Sequence, residues 1–422
     1  MSGRLAKAIG RNKTLRALAD LKGNTRWCVY CEPFWAIPYS LFSPFATMYM
    51  YRLGVTDLQI GILLTIGQVT QMCSTLAGGI ITDRLGRRRT TFLFDFAAWT
   101  IPCLLWAVSQ NFWWFAAVAV LNGLWQINNN SWIGLMSEDA DPKVLPYAFT
   151  GSQMAAMMAV FLAPISSFFV SRYELVPVMR VLYFLSAFSM ATKSILLLRK
   201  SVETRQGLRR MEETRGVPFW KLVLELKDVF RKIFRTPATV LILSIIIIVN
   251  ILTLVTANFF SLFVTQSMGI PDEALGYIPI IRAAAVLIFM FGFQHLVNAL
   301  PYRPVMITGM ALYALAFACL VFFRVGYLGL ALYILLEAVA FSFVMPRRDA
   351  LLVLFSDKKE RARVHGAVYA ITMAVSAPFG SLLGYLSEQN RVYPFLLGIG
   401  LCGLCALMVL LKKVEIPVGD PS

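Results

Sequence analysis

Apolar runs long enough to cross a bilayer, about 20 residues at a rise of about 1.5 Å each, recur along this chain and are broken by short stretches rich in Lys, Arg, Gly and Pro. Reading each run against its breakers places spans near 28–52, 57–81, 91–109, 112–136, 147–170 and 178–199. After a longer polar stretch, six more fall near 238–267, 273–298, 305–324, 327–350, 364–387 and 392–412. Lipid offers no hydrogen bonds to a backbone, so runs of this length are read as helices, which satisfy themselves. The pattern predicts an all-α membrane protein of twelve transmembrane helices in two pseudo-symmetric six-helix bundles, residues 27–199 and 237–413. Around them lie an N-terminal segment 1–26, a linker 200–236 and a tail 414–422.

Composition moves the picture the same way. Of 422 residues 58% are hydrophobic and 15% charged, and a mean hydropathy of +0.67 is far from that of a soluble domain. The formal charge of +16 does not point to nucleic acid, because the basic residues punctuate apolar runs instead of forming one patch. Arg84, Arg87, Arg88 and Arg89, then Arg347, Arg348, Lys358, Lys359, Arg361 and Arg363, fall with the linker on one side, whereas the breaks at 109–111 and 268–274 are short or nearly neutral. The positive-inside rule makes the basic side, with both termini, cytoplasmic, in a multi-pass protein of the cell inner membrane.

Residues 1–26 set Arg4, Lys7, Arg11, Lys13 and Arg16 against Leu5, Ile9, Leu15 and Leu18, the pattern of an interfacial helix on anionic lipid and not of a cleaved signal peptide. In the linker, Phe219, Leu222, Val223, Leu226 and Phe230 follow a basic run including Arg205, Arg209, Arg210 and Arg215, and read as a second membrane-surface helix tethering the halves. The seven cysteines are odd in number and mostly inside apolar runs. Cys28-x-x-Cys31 and Cys402-x-x-Cys405 lack a neighbouring His or second pair and read as small packing residues.

The two halves repeat. Gly54-Val-Thr-Asp57-Leu-Gln-Ile-Gly61 has a counterpart 215 residues on in Gly269-Ile-Pro-Asp272-Glu-Ala-Leu-Gly276, and at the same offset Asp83-Arg84-Leu85-Gly86-Arg87-Arg88 meets the degenerate Asn298-Ala299-Leu300-Pro301-Tyr302-Arg303. Gly79-Ile-Ile-Thr-Asp83-Arg84-Leu-Gly86-Arg87-Arg88, at the turn between spans 2 and 3, resembles the signature loop of the major facilitator superfamily, G-x-x-x-D-R-x-G-R-[RK]. The exit of span 1, from Tyr51 through Gly54 to Asp57, and Pro346-Arg347-Arg348-Asp349-Ala350 with Ser356-Asp357 are similar to other recurrent patterns of that family. The resemblance, to a bacterial transporter of drug- or sugar-efflux-like type, covers the chain after residue 26. It implies halves that rock about a midplane site, with the signature loop stabilising one state of alternating access. Gly79 and Gly86 would then permit close helix contact and a tight turn, Asp83 would accept hydrogen bonds from the start of a facing helix, and Arg84, Arg87 and Arg88 would reach carboxylates or lipid phosphates.

Two departures bear on direction. Where many proton-coupled exporters of the family carry an arginine in helix 4, this chain has Leu121-Asn122-Gly123-Leu124-Trp125-Gln126. Span 5 offers Ala159, Ala163-Pro164 and Ser166-Ser167, only loosely like the glycine–proline motif of drug antiporters. Export is favoured over uptake by a small margin.

An ionisable side chain inside a span is costly unless it faces a cavity or a partner. Glu32, about a quarter of the way into span 1, suits a carboxylate that binds and releases a proton, or a static ion pair; its placement is similar to a first-helix acid of some proton-coupled drug exporters. Arg282, about nine residues into span 8, reads as a receptor for an anionic group, a counter-charge or an anchor. Glu337, about ten residues into span 10, reaches the midplane, where snorkelling does not explain it; with Arg282 as partner it joins Glu32 as a coupling candidate. Lys193 and His295 read as snorkelling, and Asp95 as a partner of the signature-loop arginines. Trp35, Gln68, Gln71, Asn122, Gln126, Asn129, Gln153, Asn250 and Asn258 read as cavity-lining or as interhelical hydrogen-bonding groups. Pro33, Pro38 and Pro44 in span 1, with Pro164, Pro279 and Pro378 elsewhere, predict bent helices.

No G-x-x-x-x-G-K-[ST] loop, zinc motif or nucleophilic triad is present, which argues against ATP hydrolysis, an enzyme, a metal or a cofactor. The expectation is a secondary transporter of a small molecule, proton-coupled, working by alternating access as a monomer among membrane lipids. Rival readings are a lipid flippase on the same fold and a receptor that binds without transport.

Overall fold

The computed structural model describes residues 13–216, 237–322, 326–354 and 361–411; the run at 219–230, Lys358, Lys359 and the tail 414–422 lie outside the described residues. Among the described residues ten helices are long and apolar enough to span a membrane: Asp57–Leu85, Arg87–Val108, Leu145–Tyr173, Leu175–Lys200, Thr239–Gln266, Asp272–Gly292, Tyr302–Phe322, Gly326–Arg348, Gly366–Gln389 and Tyr393–Leu411. They are spans 2, 3 and 5–12 of the sequence pattern. The other two runs are helical but broken. Span 1 is Gly23–Tyr30, Pro33–Phe42, a 3-10 turn Ser43–Phe45 and Ala46–Arg52. Pro33 and Pro44 lack the N–H a continuous helix needs, so the breaks fall at them. Span 4 breaks at glycine, as Phe112–Gly123 and Trp125–Ser137.

Two compact units form. The first joins residues up to Ser43 with those from Cys73 into the linker, and the second joins Pro44–Met72 with the second half of the chain. The first half of span 2 therefore packs with the second unit, although the helix Asp57–Leu85 runs on without interruption.

In the first unit Cys28, Val29 and Cys31 are buried with Leu21, Leu135, Met136, Ala148 and Leu197, which gives these cysteines their packing role. Leu18, assigned by pattern to a lipid-facing helix, packs against the same cluster. In the second unit, span 2 crosses span 11 at backbone distance. A Cβ on Gly384 would stand 2.7 Å from the Asp57 carbonyl, and one on Gly380 would stand 2.8 Å from the Thr65 nitrogen. Only glycine permits that approach. Thr65 Oγ1 then donates to the Ala377 carbonyl at 2.7 Å and lies 2.8 Å from Ser381 Oγ.

Two spans carry a π-helical turn, Phe96–Thr100 in span 3 and Val255–Phe259 in span 7. Such a turn disturbs the regular i→i−4 ladder, and side chains supply the missing partners. Asn122 Nδ2 donates to the Ala98 carbonyl at 3.0 Å, and Asn258 Nδ2 to Leu254 at 3.1 Å.

Candidate functional site

Three charged side chains meet inside the first unit. Lys193 Nζ lies 3.5 Å from Asp95 Oδ1 and 4.0 Å from Glu32 Oε2, and the side chains of Lys193, Asp95 and Glu32 are 6%, 2% and 13% exposed respectively. Asp95 also accepts from Asn128 Nδ2 at 2.9 Å and from Ser194 Oγ at 2.8 Å. Glu32 Oε2 is buried with no hydrogen-bond partner among the described residues. The snorkelling assigned to Lys193 and the loop pairing assigned to Asp95 are both corrected. Asp95 sits eight residues beyond Arg87, about 12 Å along its helix, out of that arginine's reach. Lys193 lies seven residues, about 10 Å, before Lys200 at the end of its helix, and its nearest anion is Asp95.

Aromatic rings border this cluster. Trp35 stacks on Tyr39 at 5.0 Å and meets Trp99 edge-on at 5.4 Å, while Lys193 Nζ stands 5.9 Å from the Trp35 ring centre. Trp99 belongs to the π-helical turn that begins directly after Asp95.

In the second unit, Arg282 and Glu337 form a two-bond fork: Nε to Oε2 at 2.6 Å and Nη2 to Oε1 at 2.8 Å. The Glu337 side chain is 5% exposed and that of Arg282 41%. On span 10, Tyr333 lies one turn before Glu337 and Phe341 one turn after it. Tyr333 stacks on Phe260 at 4.9 Å, and the guanidinium lies 4.8 Å from the Phe341 ring centre.

The signature loop makes a third cluster. Gly86 takes φ +82°, a backbone open to glycine, and ends one helix before Arg87 starts the next. Glu203 from the linker accepts the backbone N–H groups of Arg87 at 2.7 Å and Arg88 at 3.0 Å, a carboxylate placed at the positive end of a helix. The Arg87 side chain bonds Glu138 at 2.9 and 3.0 Å and Asp83 at 3.0 Å. Asp83 also accepts from Arg210 at 2.8 and 3.1 Å, and Arg88 donates to the Leu198 carbonyl. The start of a facing helix, expected as the partner of Asp83, is thus replaced by Arg87 and the linker's Arg210. Arg209 and Arg210, bonded to Glu213, hold its carboxyl below the usual range. A Cβ added to Gly79 would meet nothing within 4 Å, whereas one on Gly78 would stand 2.9 Å from Asn130 Nδ2, so the close approach belongs to Gly78. Arg84 is exposed. At the degenerate second copy Arg347 donates to the carbonyls of Val297 and Leu300 at 2.8 and 3.1 Å.

A family model described as Major Facilitator Superfamily matches residues 36–293 and 243–421. The chain belongs to the major facilitator superfamily. No curated protein sequence matches it. Among solved structures, the nucleoside transporter NupG is similar with a TM-score of 0.68 and 15% identity, covering 92% of this chain and 98% of that one. The peptide transporter POT in complex with sulfate gives 0.67 and 14%, covering 94% and 97%. The human organic anion transporter MFSD10 gives 0.63 and 13%, covering 94% and 100%. At these identities the likeness is one of fold. With the family, it makes this chain a multi-pass membrane transporter of a small molecule and not an enzyme.

In this superfamily member the neutral candidates divide. Asn122 and Asn258 serve the π-helical turns, and Gln71 accepts from the Tyr369 hydroxyl at 3.3 Å. Both amide atoms of Gln68, Gln126 Nε2 and Asn250 Nδ2 are buried without a partner among the described residues. Asn129 is half-buried and Gln153 exposed; the neighbour Asn128 is the one bonded to Asp95. At the end of span 2 opposite the signature loop, Asp57 accepts from Ser387 at 2.6 Å and Arg391 at 3.2 Å, and its repeat mate Asp272 pairs with Arg52 at 2.8 Å. The repeat marked both aspartates, but not their arginines.

Proposed function

We propose that this transporter is proton-coupled and works by alternating access, with Glu32 as the group that takes up and releases the proton and Glu337 as a second coupling carboxylate. The supporting observation is the imbalance of the Glu32, Lys193 and Asp95 cluster, in which two carboxylates share one ammonium. Ionised throughout, the cluster carries one net negative charge inside a membrane-spanning bundle, which one added proton removes. Asp95 has three donors, whereas Glu32 has a bare oxygen and a cation no nearer than 4.0 Å. The proton therefore goes to Glu32. A purely structural pair needs one acid per base and leaves the second acid unexplained. Glu337 is matched one to one by Arg282, and takes a proton only when something else occupies that arginine. The signature-loop side faces the cytoplasm, and the protein acts as a monomer.

The test is proton flux in liposomes holding purified protein, with sugars, nucleosides, short peptides and organic anions added outside. Flux that depends on one of these compounds and is lost in Glu32→Gln is the expected result. Undiminished flux in Glu32→Gln removes the carrier role of Glu32, and movement of solute without protons overturns coupling. The sign of the flux gives the direction.

A further inference from the structure

The Arg282–Glu337 pair leaves one recognition edge of the guanidinium unused. A guanidinium has five N–H donors and can take an oxyanion side-on, through Nε and one Nη, or end-on, through both Nη groups. Glu337 fills the side-on edge through Nε and Nη2. Nη1 has no hydrogen-bond partner among the described residues and is not enclosed. With the second N–H of Nη2 it presents an open fork on a side chain 41% exposed. Arg282 itself sits off the exposed apolar stripe of its helix. Within the helix Ile278–Gly292 the most exposed apolar side chains, Ile281, Ile288 and Phe291 at 49%, 69% and 87%, share one face; Arg282 lies about 100° round the helix from Ile281 and farther from the other two. Phe289, two turns along on Arg282's side, packs on Phe343 of span 10, and Phe341 covers a face of the guanidinium.

We propose that the end-on edge of Arg282 is the oxyanion subsite of this transporter, and that its substrate is a small organic anion whose carboxylate or tetrahedral oxyanion forks onto Nη1 and Nη2 with its apolar body beside Phe341. The proposal rests on the transporter reading above and names its substrate class. Charge then sets the stoichiometry. The ion pair is neutral, so a bound anion adds one negative charge beside the nearly buried Glu337 carboxylate, and a proton on Glu337 removes it. The loaded site holds Arg282 charged, Glu337 neutral and the anion charged, so anion and proton bind together, one for one. Among the described residues the titratable groups around Glu337 are Arg282 from span 8, Tyr313 from span 9 and Tyr333 from span 10. Phenols ionise ordinarily near pH 10, and Thr239–Gln266 of span 7 carries no ionisable residue, which leaves Glu337 to take the proton.

The experiment is calorimetric titration of the full-length protein in uncharged detergent with benzoate, benzenesulfonate, benzamide and benzylamine, in buffers of different ionisation enthalpy at pH 6 and 8. Expected are binding of the anions but not of benzamide or benzylamine, uptake of about one proton per anion, and affinity for benzenesulfonate falling by up to about tenfold per pH unit on alkalinisation. Whether benzoate or benzenesulfonate binds tighter tells a flat from a tetrahedral headgroup. Arg282→Lys keeps the charge but loses the fork, and weakens anion binding about tenfold or more; Glu337→Gln binds anions with no proton uptake. Anions bound no tighter than benzamide, binding unchanged in Arg282→Lys, or no proton uptake in the wild type overturns the proposal. Should Arg282→Lys fail to fold, the proton count in Glu337→Gln decides alone. Binding in detergent needs no gradient, so absent anion binding with intact proton flux for another solute sinks this inference alone, and anion binding without any flux sinks the transport reading alone.

Discussion

Lys193, nearly buried, lies beside two carboxylates, and removing the base or one of the acids has different consequences. Lys193→Met leaves Asp95 and Glu32 without a cation, and breaking a buried pair from one side costs about 3–5 kcal/mol. Glu32→Gln removes a group that makes no hydrogen bond through Oε2, and leaves one acid for one base. We expect a large drop in the melting temperature of the purified protein for Lys193→Met and little change for Glu32→Gln; equal melting of all three proteins contradicts the cluster as described. At this scale the sequence was half legible. Glu32, Arg282 and Glu337 stood out because an ionisable residue in an apolar run is conspicuous. Lys193 and Asp95 were misassigned because position along a helix gives depth, not partner, and these two lie on different helices far apart in sequence.

Helices are where glycine and asparagine explain what hydropathy cannot. A Cβ at Gly384 would meet the Asp57 carbonyl at 2.7 Å, while Gly79 has empty space around it. Gly384→Ala is therefore expected to lower stability by about 1–3 kcal/mol through overpacking of span 2 on span 11, whereas Gly79→Ala, in an open helical position, gains up to about 1 kcal/mol from propensity. Thermal unfolding of the two variants in detergent checks the pair, and destabilisation of Gly79→Ala would restore the packing role the signature pattern assigned to it. Hydropathy located all twelve runs because burial in lipid demands continuous apolar length. It did not mark the breaks of spans 1 and 4 as ends of helices, since a proline or glycine in lipid bends a run without shortening it. The signature loop was legible as a place, but its linker partners Glu203 and Arg210 were not, because charges in a basic linker give no sign of which of them fold back.

Across the molecule, span 2 joins two kinds of contact on one unbroken helix of 29 residues, about 43 Å long. Its start crosses span 11 through Gly61, Thr65, Gly380 and Gly384 and is pinned by Arg391 and Ser387 on Asp57; its end carries Asp83 in the grip of Arg87 and Arg210. We expect that, under alternating access as proposed, the crossing of span 2 with span 11 parts in each cycle. Thr65 and Ser381 offer the place to stop it, with their hydroxyl oxygens 2.8 Å apart. Thr65→Cys with Ser381→Cys, in a background where the exposed Cys73 and the half-exposed Cys319 are serine, puts two sulfurs where a disulfide of about 2 Å can close. Substrate flux in liposomes is expected to vanish on oxidation, to return on reduction, and to survive oxidation in either single variant. Flux that continues while mass spectrometry shows the bond formed would mean that the crossing stays closed throughout the cycle, and that span 2 is a fixed post about which other helices move.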